Sequence, residues 1–309
     1  MKKLILLFAL FYSLSFGQGW NSTVTTSINE PNLEKMDLFT NASGNHVLIK
    51  RTNGNIVYYN LNSSGVVDAS KTSTLQTSGD FPNIVGSNDV VYALYKTGNV
   101  IRAKYSTNGG SSWIWNSNLD RPATANLCNG VDAVYELNNG VHLVWATRDN
   151  GSYFETYYSR LRPSDHQWVE YKNVTDYTDF QYGSRPRVTF SSERVHVSFG
   201  PVSGYAMGDV STRDRLNGSW QVPQNASGSD YSSVERLITS GNYLYMIYSQ
   251  FVPPSYFDLA YKSRTLSGTW SAGSGTDIET NIIGTEYTFD ICKTYDNELQ
   301  LVYEHDDSQ

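Results

Sequence analysis

A short strand pattern recurs six times along the chain, each copy setting one large polar or aromatic residue among aliphatic ones. Alternation of this kind predicts a half-buried β-strand. The residues at the shared position, called slot residues below, are His46, Tyr92, His142, His196, Tyr245 and Gln300. They follow one another at spacings of 46, 50, 54, 49 and 55 residues. The chain therefore repeats one structural unit six times.

Each unit has the same predicted order: an inner strand, the slot strand, a third strand and a strand that opens on Trp. The third unit shows this most clearly, because its first two strands meet at an Asn138-Asn-Gly turn, a strong hairpin signal. The closing tryptophans are Trp113, Trp168, Trp220 and Trp270. No segment shows a helical period of 3.6 residues, so little helix is expected.

A repeat of about 40–50 residues that holds several short strands is typical of a β-propeller blade. We therefore predict an all-β fold, a β-propeller with six blades of four-stranded antiparallel sheets. The sixth unit shows only its first two strands before Gln309. We expect this last blade either to be incomplete or to be closed by an N-terminal strand at Trp20.

The first residues predict export. Met1-Lys-Lys is a short basic start, residues 4–16 are mostly apolar, and Ser15-Phe-Gly supplies a small-residue exit. Residues 1–17 are therefore predicted to be a signal peptide, and residues 18–309 a single β-propeller domain. Cleavage would leave the protein secreted, on the cell surface or in the periplasm. No later stretch is apolar over about 18 residues, so no membrane span is expected.

Amino-acid composition and net charge limit the classes of molecule that the protein is expected to bind. Aromatic residues make up 14% of the chain and charged residues 17%, with a net charge of −7. The negative charge argues against a nucleic-acid partner, which needs a basic surface. A monomer that contacts a glycan or an extracellular protein is expected, without a cofactor. Cys128 and Cys292 leave two alternatives open, a disulfide or two buried thiols.

The segment before Trp113 is similar to a known motif. It reads Tyr105-Ser-Thr-Asn-Gly-Gly-Ser-Ser-Trp113, and it resembles the Asp-box, Ser-x-Asp-x-Gly-x-x-Trp, of the sialidase-like propellers (BNR repeats) of secreted bacterial proteins. Ser106, Gly110 and Trp113 match the motif, while Asn108 replaces its Asp. Such boxes cap their own turn and pack a Trp between blades, so a structural role is predicted for these four residues.

Three slot residues are histidines, which raises the alternatives of a metal site and a packing position. His46, His142 and His196 belong to three different units, and the same position holds Tyr or Gln in the others. Metal binding needs several ligands within about 2 Å of one ion. We therefore predict packing histidines and no metal site.

The loops that enter the inner strands carry the candidate ligand-binding residues. Arg forks pair with carboxylates, and Tyr offers a flat face and a hydroxyl, which together suit a sugar. The predicted ligand-binding residues are Arg187, Asp230, Tyr231, Arg236 and Glu286. They are expected to gather at one axial mouth of the propeller.

The sialidase resemblance implies a catalytic set: three Arg on a substrate carboxylate, a Tyr nucleophile assisted by a Glu, and an Asp acid–base. Arg187, Arg236 and Tyr287 follow that order, with Glu235 and Asp80 as carboxylates. The first inner strand, Leu33-Glu-Lys-Met-Asp, has no Arg. We therefore expect an exported propeller that binds a glycan or protein. The alternative is a carbohydrate-active enzyme, either a sialidase-like glycoside hydrolase or a polysaccharide lyase with a His or Tyr base.

Overall fold

The computed structural model describes residues 27–123, 128–148, 154–175, 184–192, 194–200, 210–226, 232–252, 256–271, 275–283, 289–293 and 299–303. These residues form 23 β-strands, and their helical content is limited to two 3-10 turns, Ala69–Lys71 and Ser117–Leu119. The predicted all-β class is confirmed. Across the same residues there is no helix long and apolar enough to cross a membrane.

The strands form six sheets that follow one another along the chain. Sheet 1 contains β1 (Leu33–Asn41), β2 (Gly44–Arg51), β3 (Ile56–Leu61) and β4 (Ser73–Gln76). Sheet 2 contains β5 (Asp80–Gly86), β6 (Val91–Thr97), β7 (Val100–Ser106) and β8 (Asp120–Pro122). Sheet 3 contains β9 (Cys128–Glu136), β10 (Gly140–Thr147), β11 (Glu155–Leu161) and β12 (Trp168–Asn173).

The later sheets repeat the order. Sheet 4 contains β13 (Ser184–Phe190), β14 (Arg194–Gly200), β15 (Ser211–Leu216), β16 (Ser219–Trp220) and β17 (Gln224–Asn225). Sheet 5 contains β18 (Ser232–Ser240), β19 (Tyr243–Val252), β20 (Tyr256–Thr265) and β21 (Thr276–Ile283). Sheet 6 contains β22 (Phe289–Lys293) and β23 (Leu299–Tyr303). Within each sheet, every strand after the first pairs with the strand before it, except that β17 pairs with β15.

The described chain divides into two compact units. The first holds residues 27–123, Leu137–Val141 and Arg162–Gln167, and so contains sheets 1 and 2. The second holds residues 128–136, His142–Leu161 and the described residues from Trp168 onward, and so contains sheets 4 to 6 and most of sheet 3.

The slot strands of sheets 1 to 4 are buried on both faces, as expected from their many apolar residues. In β2, Val47 and Ile49 pack in one core cluster with Val57 and Leu61, while Leu48 faces the opposite way. Leu48 joins a second cluster with residues of sheet 2, among them Ile84 and Tyr95. In the second unit, Val144 and Val197 lie in one cluster in the same manner. Successive side chains of a strand point to opposite faces, so both sets are removed from water.

Several sequence predictions fall outside the described residues. The signal peptide, the strand at Trp20 and the end of the chain after Tyr303 are among them, and they remain predictions. Of the two cysteines, Cys128 is a half-buried thiol whose Sγ donates to the carbonyl oxygen of Gly130, 3.6 Å away.

Candidate functional site

Four of the six slot residues are packing residues, as predicted, whereas Tyr245 and Gln300 are half-buried. His46, Tyr92, His142 and His196 are all buried. His46 Nδ1 lies 2.7 Å from the Tyr58 hydroxyl, and His142 lies 2.7 Å from a tyrosine hydroxyl and 2.8 Å from Glu136. In the part of the chain that the structure describes, no three His, Cys, Asp or Glu side chains are grouped for a metal ion.

His196 lies in an arrangement that resembles a nucleophilic triad. Its Nε2 is 3.2 Å from the Ser191 hydroxyl and its Nδ1 is 2.8 Å from Asp214 Oδ1. A catalytic triad requires this order of serine, imidazole and carboxylate. Asp214, however, also accepts a 2.6 Å hydrogen bond from Arg264. The negative charge of Asp214 is therefore balanced by Arg264, and the carboxylate serves a buried ion pair rather than a catalytic triad.

The same serine–histidine contact occurs in sheet 1, which identifies it as a feature of the scaffold. Ser43 Oγ lies 3.1 Å from His46 Nε2, and there the other ring nitrogen contacts the Tyr58 hydroxyl rather than a carboxylate. The serine–histidine contact therefore forms whether or not a carboxylate completes a triad, so it does not by itself indicate catalysis. We assign both serines to satisfying the polar atoms of a buried imidazole.

The burial of His46 predicts how the stability of the fold depends on pH. Burial, with a smaller contribution from the charge of Lys71, lowers the pKa of His46 to about 4. The unfolded chain, with an ordinary histidine pKa of about 6.5, binds the proton first as the pH falls. His46 should therefore stabilise the fold fully above pH 6.5 and cost it up to about 3 kcal/mol as the pH falls toward 4.

The measurement is the free energy of unfolding at several pH values for wild type and His46→Gln, since Gln occupies the slot in the sixth unit. The stability difference between the two proteins should shrink or change sign between pH 6.5 and 4. Parallel pH profiles for both proteins would contradict the prediction, as would an imidazole NMR titration of His46 with a midpoint near 6.5.

The four residues that resemble an Asp-box, Ser106, Asn108, Gly110 and Trp113, belong to a closed turn in the first unit. Gly110 N donates to Ser106 Oγ at 2.8 Å, and Asn108 Oδ1 accepts from the backbone N–H of Ser112 at 2.9 Å. The Trp113 ring meets the Tyr58 ring edge-on, with centroids 4.9 Å apart. The motif thus caps its own turn and packs on sheet 1.

A polar residue occupies one equivalent position in the first strand of every sheet. The position is set by register, because it pairs with the residue two places beyond the slot residue, as Asp37 pairs with Leu48 and Arg236 with Ile247. The six residues are Asp37, Asn83, Asp132, Arg187, Arg236 and Asp290. Asp132 is assigned to this position by an equivalent hydrogen bond to the next sheet. It accepts a hydrogen bond from the backbone N–H of Val188 at 2.8 Å, as Asp37 does from that of Ile84 at 2.7 Å.

In the first unit, Asp80 is held by two lysines. Its Oδ1 lies 2.8 Å from Lys35 Nζ and 3.3 Å from Lys50 Nζ. Burial alone would raise the pKa of Asp80, but the hydrogen bond and charge of Lys35, with help from the Phe81 N–H and Lys50, outweigh it and lower the pKa. A carboxylate of this kind stays ionised and does not serve as a general acid near neutral pH.

In the second unit, four charged residues at the shared position form what we call the Arg–Asp cluster: Asp132, Arg187, Arg236 and Asp290. Arg236 Nε donates to Asp290 Oδ1 at 3.1 Å. The Asp290 side chain is 78% exposed and that of Arg236 27% exposed, so this pair faces solvent. Arg187 is half-buried, and its guanidinium donates to the Pro186 carbonyl at 3.3 Å.

Asp132 has the most perturbed environment of the cluster. Burial raises the pKa of Asp132 and the charge of Asp290 adds to the rise, whereas the charges of Arg187 and Arg236 oppose it. The residue nevertheless keeps accessible surface. A carboxyl with a raised pKa beside two arginines is the kind of group that occurs at functional sites.

The backbone beside the cluster requires a close approach of two strands. Gly130, in β9, has a φ of +142°, and a Cβ there would lie 3.0 Å from the Cα of Arg185 at the start of β13. Arg185 itself has a φ of +49°. Glycine thus allows the two first strands to meet where Asp132 and Arg187 are displayed.

The structure brings together two of the predicted ligand-binding residues. Arg187 and Arg236 both act on Asp132, while Asp80 belongs to the other compact unit. Asp230, Tyr231, Glu286 and Tyr287 lie outside the described residues, and Glu235 is described only through its main-chain pairing with Tyr248. The sequence analysis missed Asp132 and Asp290. Aligning the first strands, rather than the slot strands, would have shown their shared position.

Comparisons with known proteins bear on the fold. No protein-family model matches the sequence, and no curated protein matches it. Among solved structures, a mutant of AofleA from Arthrobotrys oligospora is 12% identical, with a TM-score of 0.54 over 87% of this chain and 78% of that one. A likeness at this identity concerns the fold alone.

Two other structures match less well. The Aleuria aurantia lectin, described as a six-bladed β-propeller with a novel fucose recognition mode, is 12% identical, with a TM-score of 0.48 over 78% of each chain. A xylan β-1,4-xylosidase from Bacillus halodurans C-125 is 12% identical, with a TM-score of 0.43 over 73% of this chain. The chain spans about half the length of that xylosidase, 48% of it.

Six sheets in chain order, together with the likeness to AofleA over most of both chains, decide the architecture. The fold is a β-propeller. Its six blades are sheets 1 to 6, and the Arg–Asp cluster lies on the first strands of blades 3 to 6.

Proposed function

We propose that the protein is an exported β-propeller that binds an acidic glycan at the Arg–Asp cluster. The observation that carries the proposal is the solvent-facing Arg236–Asp290 pair beside the enclosed carboxyl of Asp132 and the guanidinium of Arg187. The Asp-box residues Ser106, Gly110 and Trp113 support including the protein among the sialidase-like propellers as part of this proposal.

The two arginines set the class of ligand. A guanidinium donates two parallel hydrogen bonds to a carboxylate, and Arg187 and Arg236 lie in adjacent blades beside one carboxyl group. Because the pKa of Asp132 is raised, its own negative charge competes less for these arginines. A sugar carboxylate is therefore the ligand group that the cluster favours, and Asp290 can accept from neighbouring sugar hydroxyls.

The test is binding of the purified protein to an array of uronate-bearing, sialate-bearing and neutral glycans. Arg236→Ala should weaken binding of an acidic glycan by about 10-fold to 100-fold, because a charge-assisted hydrogen bond contributes about 1.5–3 kcal/mol. Asp290→Asn should strengthen it severalfold, since it removes a negative charge next to the ligand. Arg162→Ala, which removes another exposed Arg–Asp pair on a hairpin turn, is the matched control and should bind normally.

Two outcomes would contradict the proposal. One is that the wild-type protein binds no acidic glycan on the array. The other is that Arg236→Ala and Arg162→Ala bind the same glycan equally well.

A second candidate, a glycoside hydrolase or polysaccharide lyase, is favoured by the raised pKa of Asp132. A carboxyl that keeps its proton at higher pH is what a general acid requires. The same acidic glycans are incubated with wild type and Asp132→Asn, and new reducing ends or unsaturated uronates are measured. Turnover by wild type that is lost in Asp132→Asn supports the enzyme, and binding without turnover supports the first proposal.

A further inference from the structure

A second surface of the protein, in blade 2, combines an exposed indole with fixed polar groups. Trp115 is 43% exposed, whereas Trp270 is 8% exposed and Trp145 fully buried. The indole is nevertheless held in place, because its Nε1 donates to Asp120 Oδ1 at 2.9 Å. The Arg102 guanidinium lies 4.2 Å from the centre of the Trp115 ring. This tryptophan is both exposed and ordered by its neighbours.

The polar edge beside the indole is built from two paired strands and a neighbouring blade. Arg102 in β7 pairs in register with Asp120 in β8. Its Nε and a terminal nitrogen donate to the two carboxylate oxygens at 3.1 and 2.9 Å. The other terminal nitrogen donates to Gln76 Oε1, from blade 1, at 3.3 Å. The hydrogen bonds and charge of Asp120 outweigh burial and raise the pKa of Arg102, so the guanidinium stays charged.

We propose that Trp115, Arg102, Asp120 and Gln76, called the Trp115 site, bind a neutral pyranose. An aromatic ring offers a flat apolar surface to the C–H face of a sugar, while polar groups at the ring edge reach its hydroxyls. A guanidinium has five N–H donors, of which three are directed at Asp120 and Gln76. The two remaining guanidinium donors, the second lone pair of Asp120 Oδ2 and the Gln76 amide group can bond to sugar hydroxyls.

The charge balance selects a neutral ligand. Arg102 and Asp120 neutralise each other through two parallel hydrogen bonds, so the site has no excess positive charge for an anion. This distinguishes it from the Arg–Asp cluster, where a second carboxyl, that of Asp132, has a raised pKa and leaves the positive charge of Arg187 less fully balanced. Since the side chains are already fixed by one another, little conformational freedom is lost when a sugar binds.

The test uses the full chain and a panel of methyl glycosides of neutral pyranoses, with binding measured by saturation-transfer NMR and tryptophan fluorescence. Wild type should bind at least one of them, and Trp115→Ala should weaken that binding at least 10-fold. Ile114→Ala removes the neighbouring exposed apolar side chain, 45% exposed, and should change the affinity less than twofold. Circular dichroism melting confirms that each variant is folded.

Arg236→Ala separates this site from the proposed function. It should leave binding of the neutral pyranose unchanged, whether or not it abolishes binding of an acidic glycan. The proposal is overturned if wild type binds none of the panel, if Trp115→Ala binds as well as wild type, or if Ile114→Ala and Trp115→Ala lose affinity equally.

Discussion

Asp214→Asn is expected to lower the free energy of unfolding by about 3–5 kcal/mol, the cost of leaving one partner of a buried ion pair without its counter-charge. Asp214 is buried, and it accepts hydrogen bonds from His196 at 2.8 Å and from Arg264 at 2.6 Å. Arg264 is also buried, 4% exposed. Asparagine has nearly the same shape, so the loss reports the charge rather than a cavity.

The pH dependence of this difference provides a further check. Burial alone would raise the pKa of Asp214, but the hydrogen bond and charge of His196 and the charge of Arg264 outweigh it and lower the pKa. The contribution of the carboxylate is therefore present above the ordinary aspartate pKa of about 4 and is lost as the pH falls through the lower folded value. The gap between wild type and Asp214→Asn should narrow in that range.

Asp165→Asn is the matched control, because Asp165 pairs with Arg162 on an exposed hairpin turn. Solvent screens that pair, so the free energy of unfolding should hardly change. Denaturant unfolding of the three proteins at neutral pH is the measurement. Equal midpoints for Asp214→Asn and Asp165→Asn would show that the buried network contributes no more than a surface pair.

The fold could be predicted from the sequence because its main signals are local. Alternation with a period of two identifies a strand, and an Asn-Gly turn joins it to the next one. All six slot residues accordingly fall in the second strand of their sheets, as His46 does in β2 and Tyr245 in β19. Gln300 lies in β23, the second strand of sheet 6. These patterns do not depend on which sheets become neighbours.

The candidate site depends on contacts between sheets, which no local pattern contains. Asp132 accepts its hydrogen bond from Val188, 56 residues later in the chain, and Arg236 reaches Asp290 54 residues later. The sequence analysis found Arg187 and Arg236 because arginine next to a strand is conspicuous. It missed Asp132 because a polar residue within a strand pattern carries no signal until the first strands are aligned by register.

The partners of the slot residues show the same limit at shorter range. His46 contacts Tyr58, in the neighbouring strand but two residues away from its own register partner Asn60. His196 contacts its direct register partner, Asp214. Burial of the slot could be predicted from apolar neighbours, whereas the partner depends on side-chain direction across the sheet.

Gly110→Ala is expected to lower the free energy of unfolding by about 3 kcal/mol. Gly110 has a φ of +89°, which disfavours any L side chain by roughly 1–2 kcal/mol. A Cβ would also lie 2.0 Å from the Tyr58 hydroxyl oxygen, so the buried tyrosine must move. Overpacking of this kind costs about 1–3 kcal/mol more. Displacing Tyr58 would also break its 2.7 Å contact with His46.

Gly98→Ala isolates the second effect. Gly98, in the turn between β6 and β7, also has a positive φ, +53°, but a Cβ there would meet nothing within 4 Å. Gly98→Ala should therefore lower the free energy of unfolding only by the cost of a side chain at positive φ. Denaturant unfolding of both variants measures the difference, which we attribute to the packing of the Gly110 turn on Tyr58. Equal losses in the two variants would mean that this turn tolerates a larger side chain and does not fix blade 2 on blade 1 through Gly110.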